Sequence, residues 1–182
     1  MSPSAPRRER LLDAAAALFA SRGYHAVGID DIGAAAGITG PGVYRHFAGK
    51  QALLEHLCDR AMTQLLEGAQ GQALAGSLDA LVDLHVAFAV DRHTLLGVWV
   101  REQRALSDDV RRSLRGRQRA YEQVWREVLR RRRPDLLPDE AQVVVSCTLA
   151  LLNSTARVDT DMPRERLADL LRTMAHAALS AG

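Results

Sequence analysis

The sequence predicts an all-α protein of about nine helices, arranged as an N-terminal three-helix unit and a C-terminal helical body. The composition supports this class, because Ala, Leu and Arg dominate the 182 residues and aromatic residues make up only 4% of them. β-Branched residues are sparse before Val143. Apolar residues also recur at three- and four-residue spacing, the period of an amphipathic helix. We therefore expect one domain over residues 1–50 and a second over residues 51–182.

The first helix is predicted from about Pro6 to Arg22. Leu11, Ala15 and Phe19 lie on one face of it, and Gly23 follows at the position where helices favour a left-handed residue. We expect this helix to clamp the next two helices against each other. The resulting unit of roughly 50 residues is near the lower limit for an independent core.

The stretch from Gly28 to Lys50 predicts two short helices joined by a tight turn. The apolar spacing favours a helix of about two turns that ends at Gly37. Thr39 is expected to cap the second helix by accepting a hydrogen bond from the N–H of Gly42. Pro41 suits the first turn, where N–H groups have no helical partner. This layout is typical of a helix-turn-helix that reads DNA.

The second of these helices has one side suited to a DNA groove. Val43 and Phe47 are four residues apart, so both are expected to face the core. The outward positions are then Gly40, Pro41, Tyr44 and Arg45. Tyr44 can bond a phosphate, Arg45 can fork onto a guanine edge, and the Pro41 ring can touch a thymine methyl. Two short amphipathic helices also occur in many bundles, so a purely structural role is the alternative.

Three stretches of this region match a known pattern in order and spacing. They are Gly23–Ala26, Asp31–Thr39 and Val43–Leu54, the last containing a Tyr-x-His-Phe and a Lys-x-x-Leu element. In these stretches the chain resembles the N-terminal domain of the tetracycline-repressor (TetR/AcrR) family of bacterial transcription regulators. The resemblance covers about the first third of the chain, and the remainder matches only in length and helical character.

The resemblance implies a helix-turn-helix DNA-binding domain over residues 1–50 and a ligand-binding and dimerisation domain over residues 51–182. It implies repression, since relatives usually repress, and a phosphate contact at Lys50. Many relatives have Thr or Ser where this chain has Val27 and Gly28, so Gly28 is expected to cap through its backbone alone. The expected DNA-contacting residues are Gly28, Thr39, Gly40, Pro41, Tyr44, Arg45, His46 and Lys50.

The C-terminal body is expected to contain six helices. The first is predicted from Lys50 to about Ala69, because Gly68, Gly71 and Gly76 then interrupt the apolar pattern. The later helices are predicted to start near Ser77, Thr94, Ser107, Pro138 and Pro163.

The resemblance also implies a small-molecule pocket within this body. The candidates are polar or aromatic residues on inward faces: His85, Trp99, Tyr121, Trp125 and Asn153. Each of them has core packing as its alternative role. A mostly apolar lining suggests a small hydrophobic effector such as a lipid, an acyl thioester or an aromatic compound. Occupancy would tilt the helix that starts at Lys50 and so release the operator.

The last two helices have more apolar surface than one subunit is expected to cover. We therefore predict a homodimer with a four-helix interface. The expected interface residues are Val145, Leu149, Leu152, Leu167, Leu170, Leu171 and Met174. Two-fold symmetry then predicts double-stranded DNA with an inverted repeat, a palindromic operator, as the target.

Several other classes of protein lack support in the sequence. No metal-ligand spacing, catalytic motif or nucleotide loop occurs, so neither a metal, a cofactor nor an enzyme activity is expected. No apolar run or signal region appears, so a cytoplasmic protein without membrane contact is expected. Cys58 and Cys147 are expected to be buried free thiols. A helical small-molecule-binding module without a DNA-reading role is the alternative function.

Overall fold

The computed structural model describes residues 4–181, and in that range the chain forms nine α-helices and two short 3₁₀ segments without a strand. The all-α prediction is therefore confirmed. The helices are α1 Ser4–Arg22, α2 Ile29–Ala35, α3 Gly40–Val43, α4 Lys50–Leu74, α5 Leu78–Asp91, α6 His93–Arg101, α7 Asp108–Arg132, α8 Pro138–Ser154 and α9 Arg164–Leu179, and the 3₁₀ segments are Gln103–Ala105 and Thr155–Arg157.

Helix α4 connects the N-terminal unit to the rest of the molecule. It packs against α1 at one side and against α5, α6 and α7 in the body. Leu54, Cys58, Ala61 and Leu65 follow one another at helical spacing and are all buried. One hydrophobic core therefore continues from α1 through α4 into the body.

The helices of the N-terminal unit begin where the apolar spacing predicts them, but α3 ends at Val43, so the prediction that this helix includes Phe47 is wrong. Gly23 and Gly37 have φ values of 80° and 70°, so both end a helix in the left-handed conformation as expected. Phe19, Ile32 and Val43 meet in the core with no exposed surface. The unit is thus built around side chains from all three helices.

The predicted end of α4 near Ala69 is wrong, because the helix continues to Leu74. Gly68 does not break it. A Cβ atom at Gly68 would lie 2.8 Å from Cδ1 of Leu84, so this glycine allows α5 to approach α4 closely. The helix ends only before Gly76, whose φ is 66°.

The remaining helix starts agree with the sequence to within one or two residues. The hydroxyl of Ser77 accepts the N–H of Ala80 at 3.1 Å, which confirms the cap of α5. Ser107 occupies the N-cap position of α7, but its hydroxyl donates to Glu55 Oε1 at 2.8 Å instead of capping the helix.

The two cysteines differ in environment. Cys58 is buried, and its burial raises the pKa of the thiol to about 12. Cys147 is exposed on α8, so the prediction of a buried thiol is wrong there. Within residues 4–181, the length and hydropathy required of a membrane-crossing helix are not met by any of the helices.

Candidate nucleic-acid interface and effector site

Gly33 determines how closely α2 approaches the start of α3. A Cβ atom at this position would lie 2.9 Å from the carbonyl oxygen of Ile38 and 3.3 Å from the amide nitrogen of Gly40. The N–H of Ile38 also donates to the carbonyl oxygen of Gly33 at 2.9 Å. Backbone therefore contacts backbone at the turn of the motif, and a larger residue at position 33 would push the two helices apart.

The starts of α2 and α3 are held by different contacts. The N–H of Gly28 donates to Oδ2 of Asp31 at 2.7 Å, so a carboxylate of the first turn caps the start of α2. Thr39 is the N-cap residue of α3, but its side chain makes no capping bond. The predicted hydroxyl cap is wrong, since the N–H of Gly42 donates to the carbonyl oxygen of Thr39 at 2.8 Å.

Helix α3 and the turn after it have one buried side and one exposed side. Val43 and Phe47 are buried. Pro41 and Arg45 are exposed, and Tyr44 is 58% exposed. Three of the predicted contact residues therefore project into solvent from a segment whose opposite side is fixed in the core.

Two further predicted contact residues, Gly40 and His46, are only half-buried. A Cβ atom at Gly40 would collide with the carboxylate of Asp30 on α2. Position 40 thus serves the packing of α3 on α2 in addition to any contact with DNA. The N–H of His46 donates to the carbonyl oxygen of Val43 at 2.9 Å and continues the helical turn.

Lys50 is directed inward at the start of α4. Its Nζ donates to the carbonyl oxygens of Tyr24 at 2.9 Å and Val27 at 2.8 Å, and it lies 4.4 Å from the centroid of the Tyr24 ring. The ammonium group thereby fastens the loop between α1 and α2 to α4. The phosphate contact at Lys50 stays a prediction beside this internal role.

A contact that the sequence does not reveal supports Phe47, at the end of the turn that follows α3. The guanidinium carbon of Arg8 lies 4.8 Å from the centroid of the Phe47 ring, and its nitrogens lie 3.2 and 3.3 Å from the ring nitrogens of His56. Burial, followed by the charge of Arg8, lowers the pKa of His56. A neutral imidazole can accept from Arg8, so the first turns of α1 are held on α4 and Phe47.

Two polar residues at the end of α6 connect the body to the N-terminal unit. Arg101 donates to the carbonyl oxygen of Ala20 at 3.0 Å and to that of Ala156 at 2.8 Å. Glu102 Oε1 accepts the N–H of Tyr24 at 3.2 Å. The contacts with Ala20 and Tyr24 join positions 81 and 78 residues apart in sequence, and no local pattern could indicate them.

Four of the five residues predicted to bind the effector, all except Trp99, lie together in the body. Nδ1 of His85 lies 2.7 Å from the hydroxyl of Tyr121, and Nε2 lies 3.2 Å from Oδ1 of Asn153. The ring centroids of Tyr121 and Trp125 are 6.2 Å apart. Trp99 is buried on α6, and none of the described ring contacts joins it to this cluster.

The His85 cluster, defined as His85, Tyr121, Trp125 and Asn153, is neutral. Burial lowers the pKa of His85 to about 4 and raises the pKa of Tyr121. The distances fit an imidazole that accepts from Tyr121 at Nδ1 and donates to Asn153 from Nε2. The indole N–H of Trp125 is buried and makes no hydrogen bond of regular geometry with the described residues, although it is close enough to the Tyr121 hydroxyl to oppose in part the effect of burial on the pKa of Tyr121.

An apolar crevice of about 430 Å³ lies elsewhere, between α5, α8 and α9. Its walls include Val90, Leu151, Met162, Leu167 and Met174. The residues of the His85 cluster do not line it. The structure therefore separates the buried polar residues that the sequence indicates from this apolar crevice.

The residues predicted for the dimer interface fall into two groups. Val145, Leu149, Leu152 and Leu171 are buried within the protomer, so the structure places them in its core and not on a free surface. Leu167 is half-buried, whereas Leu170 is 45% and Met174 41% exposed. Beyond the first turn of α8, the exposed positions are Val143, Cys147, Ala150 and Ser154, which share one face.

The structure joins an N-terminal helix-turn-helix unit to a helical body, the architecture of one-component DNA-binding regulators. A family model described as "Bacterial regulatory proteins, tetR family" matches residues 11–57, and one described as "Tetracyclin repressor-like, C-terminal domain" matches residues 74–157. The chain belongs to the TetR family of bacterial transcriptional regulators. Members of this family are DNA-binding regulators and not enzymes.

The curated relatives include an activator and repressors. The HTH-type transcriptional activator FasR of Mycolicibacterium smegmatis is 40% identical over 77 residues, which cover 42% of this chain and 35% of FasR. The HTH-type transcriptional repressor KstR2 of Mycobacterium tuberculosis is 30% identical over 129 residues, which cover 68% of this chain and 64% of KstR2. The matches thus span between about a third and two thirds of the length of these relatives.

Solved structures show the same fold over most of the chain. A TetR-family regulator from Bordetella parapertussis is 25% identical with a TM-score of 0.82, covering 92% of this chain and 93% of that one. AibR, solved in complex with isovaleryl coenzyme A and operator DNA, is 20% identical with a TM-score of 0.77, covering 92% and 97%. The ketosteroid regulator KstR2 of Mycobacterium tuberculosis is 24% identical with a TM-score of 0.79, covering 95% and 93%.

Proposed function

We propose that this DNA-binding regulator is a repressor that binds an inverted-repeat operator as a homodimer and is released by a small hydrophobic effector. In this proposal residues 1–50 read DNA, and residues 51–182 bind the effector and dimerise. The observation that carries it is the exposed face of Pro41, Tyr44 and Arg45, which is held in place by Val43 and Phe47 in the core. Repression is favoured because the KstR2 relatives are named as repressors.

Each exposed side chain of this face has a distinct proposed role. Arg45 forks onto the O6 and N7 acceptors of a guanine, and Pro41 contacts a thymine methyl group. The hydroxyls of Tyr44 and Thr39 bond phosphates and set the register of the motif on the duplex. Lys50 adds a phosphate contact through the third N–H of its ammonium group.

Gly28, Gly40 and His46 have smaller proposed roles at the interface. The N–H of Gly28 already donates to Asp31, so a phosphate at this position would have to compete with the carboxylate. Gly40 brings the backbone of α3 close to the duplex while packing on Asp30. His46 lies half-buried beside the exposed face and supports it from the next turn.

The proposed dimer uses the exposed sides of α8 and α9. Val143, Cys147 and Ala150 on α8 and Leu170 and Met174 on α9 are apolar or weakly polar side chains in solvent. The two helices pack against each other, so their exposed sides can form one surface. Pairing this surface with its two-fold copy would cover it and would present two reading segments to successive major grooves.

The proposed effector is a small hydrophobic molecule that contacts the His85 cluster. The buried N–H of Trp125 supports this assignment, because an acceptor on the ligand would satisfy it. A solved structure of this fold contains an acyl thioester, because AibR was solved in complex with isovaleryl coenzyme A. Release of DNA then requires that the ligand bind the two conformations unequally, typically by about 1 to 3 kcal/mol.

The experiment that tests the proposal is selection of bound sequences from a random duplex pool at near-physiological salt. We expect an inverted repeat to be enriched, with half-sites about one helical turn apart. Arg45→Ala should weaken binding to this sequence by about 1 to 3 kcal/mol and relax the preference at one base pair of each half-site. Arg119→Ala, an exposed arginine on α7, is the control and should change neither quantity.

Two results would contradict the proposal. An equal loss on every sequence for Arg45→Ala would show that Arg45 contacts no base. Absence of enrichment from both the purified protein and protein that has been refolded free of ligand would favour the helical binding module, in which the motif serves as scaffold.

A further inference from the structure

A strongly basic cleft lies at the end of the body that touches the N-terminal unit. It is formed by the end of α6, the Gln103–Ala105 segment, the first two turns of α7 and the Thr155–Arg157 segment, and its volume is about 480 Å³. Five arginines line it: Arg101, Arg104, Arg111, Arg115 and Arg157. We call this set the arginine cleft.

The charges of the arginine cleft are only partly balanced. Among the described residues that line the cleft, none is acidic. Arg111 pairs with the exposed Asp108, and Arg101 donates to two carbonyl oxygens. In the same part of the structure, Arg104, Arg115 and Arg157 are exposed and are joined to no carboxylate by a described ion pair. Like charges gathered in one concave site raise the local potential and attract anions.

The arginine side chains of the cleft indicate which chemical group the ligand carries. A guanidinium group binds phosphate through two parallel N–H bonds, and several such groups around one cavity match a ligand that bears more than one phosphate. A concave site lined from four segments of the chain suits a small molecule better than the rod of a DNA duplex. We propose that the arginine cleft binds a second small-molecule effector, distinct from the hydrophobic molecule at the His85 cluster, through at least two phosphate groups.

The position of the cleft suggests how its occupancy acts. Arg101 lines the cleft and donates to the carbonyl oxygen of Ala20 on α1. The neighbouring Glu102 accepts the N–H of Tyr24. A phosphate in the cleft competes for the guanidinium of Arg101 and weakens its bond to α1. This effect on DNA binding rests on the proposed function, whereas phosphate binding itself does not.

The test is a calorimetric titration of the purified protein with inorganic pyrophosphate at constant ionic strength. We expect saturable binding that weakens about tenfold or more in the double variant Arg104→Gln with Arg115→Gln, because two charge-assisted contacts are lost. The matched control is Arg119→Gln with Arg130→Gln, which removes the same charge from exposed positions further along α7. This control should bind pyrophosphate like the original protein, and thermal unfolding should be the same for both pairs.

Three outcomes would overturn the proposal. Equal affinities in all three proteins, or an equal loss in the control, would show that pyrophosphate is attracted only by diffuse charge. Unchanged pyrophosphate binding with weakened DNA binding in the Arg104→Gln and Arg115→Gln variant would assign the cleft to DNA phosphates.

The third outcome concerns the effector role. We expect saturating pyrophosphate to weaken operator binding by the original protein and not by the cleft variant. Binding in the cleft with no change in operator affinity would overturn that role. Because the titration needs no DNA, its result stands even if no inverted repeat is found, so failure of the site and failure of the proposed function are distinguishable.

Discussion

Lys50 joins α4 to the loop between α1 and α2 through a single ammonium group. It begins α4, and it donates to the carbonyl oxygens of Tyr24 and Val27 in the loop between α1 and α2. Two of its three N–H bonds are therefore directed into the protein. A bond to a phosphate would use the third, so the same residue can fix the reading unit and contact its target.

Lys50→Met tests both roles, because it removes the charge and keeps most of the apolar stem. We expect the free energy of unfolding in urea to fall by about 1 to 3 kcal/mol, since two carbonyl groups lose a charged donor. We also expect the dependence of DNA affinity on salt to flatten by about one in slope. An unchanged slope would remove Lys50 from the phosphate contacts, and unchanged stability would show that the internal bonds contribute little.

His85 gives the body a dependence on pH. Burial lowers the pKa of the imidazole to about 4 in the folded protein, whereas a histidine in an unfolded chain titrates near about 6.5. The unfolded state therefore binds more protons between these values. Stability that is present above about pH 6.5 is lost as the pH falls towards 4.

His85→Gln should remove this dependence while keeping polar atoms near Tyr121 and Asn153. Between about pH 7.5 and about pH 5, we expect the free energy of unfolding to fall by about 2 kcal/mol more in the original protein than in the variant. Urea unfolding at the two pH values measures this difference. A constant difference across both pH values would mean that His85 is not held neutral by burial.

At the scale of the secondary-structure elements, replacing a glycine by alanine is expected to have opposite effects on stability at Gly33 and at Gly71. A Cβ atom at Gly33 would meet the backbone of Ile38 at 2.9 Å, whereas nothing lies within 4 Å of one at Gly71 on α4. Backbone in a tight turn cannot move aside as the end of a flexible side chain can. The space around each glycine therefore decides the effect of a methyl group.

Gly33→Ala should lower the free energy of unfolding by about 1 to 3 kcal/mol through overpacking and should weaken DNA binding by shifting α3. Gly71→Ala is the matched control and should raise stability by up to about 1 kcal/mol, because alanine favours the helix. Thermal unfolding and operator affinity measure both variants. Equal effects of the two substitutions would contradict the close contact at Gly33.

The elements show why some features follow from the sequence and others do not. Helix starts such as the Ser77 cap and ends such as Gly37 depend on local chemistry, and these were predictable. The helix end predicted near Ala69 treats Gly68 as one of three helix breakers, although its role is to admit Leu84 from α5, and sequence spacing contains no information about that neighbour. Thr39 is similar, because its backbone oxygen replaces the hydroxyl as the cap of α3.

The candidate site was predictable to a comparable extent. Periodicity indicates that His85, Tyr121 and Trp125 lie on inward faces, and they meet in one cluster. The rotation of α8 was not predictable, because a helix that is apolar nearly all round lacks the polar stripe that would distinguish the core side from a partner side. Arg101 and Glu102 form hydrogen bonds with α1 and with the loop that follows α1, and because these partners are distant in sequence, no local sequence pattern predicts them.

At the scale of the whole molecule, the proposed dimer depends on which apolar side chains are exposed. Leu171 is buried, so a charge there would disturb the protomer itself. Leu170 and Met174 are 45% and 41% exposed, which makes them suitable for testing assembly without unfolding the chain.

Leu170→Glu with Met174→Glu should give monomers in sedimentation velocity, because like charges would meet across the two-fold axis. Leu74→Glu and Leu137→Glu are controls at positions that are 93% and 64% exposed outside this surface, and they should leave the dimer intact. Thermal unfolding verifies that every variant is folded. A dimer that persists in the double variant would place the interface elsewhere.

The length of α4 determines how far a small rotation of this helix displaces the helix-turn-helix unit. The helix is continuous over 25 residues, so it spans about 37 Å. A rotation of about 5° around one end of such a rod moves the other end by about 3 Å, close to the axial step of one base pair. In a symmetric dimer the helix-turn-helix unit of each protomer moves, so the change in the spacing between the two units is twice as large. A conformational change too small to disturb the packing of the core is therefore large enough to lose register with DNA.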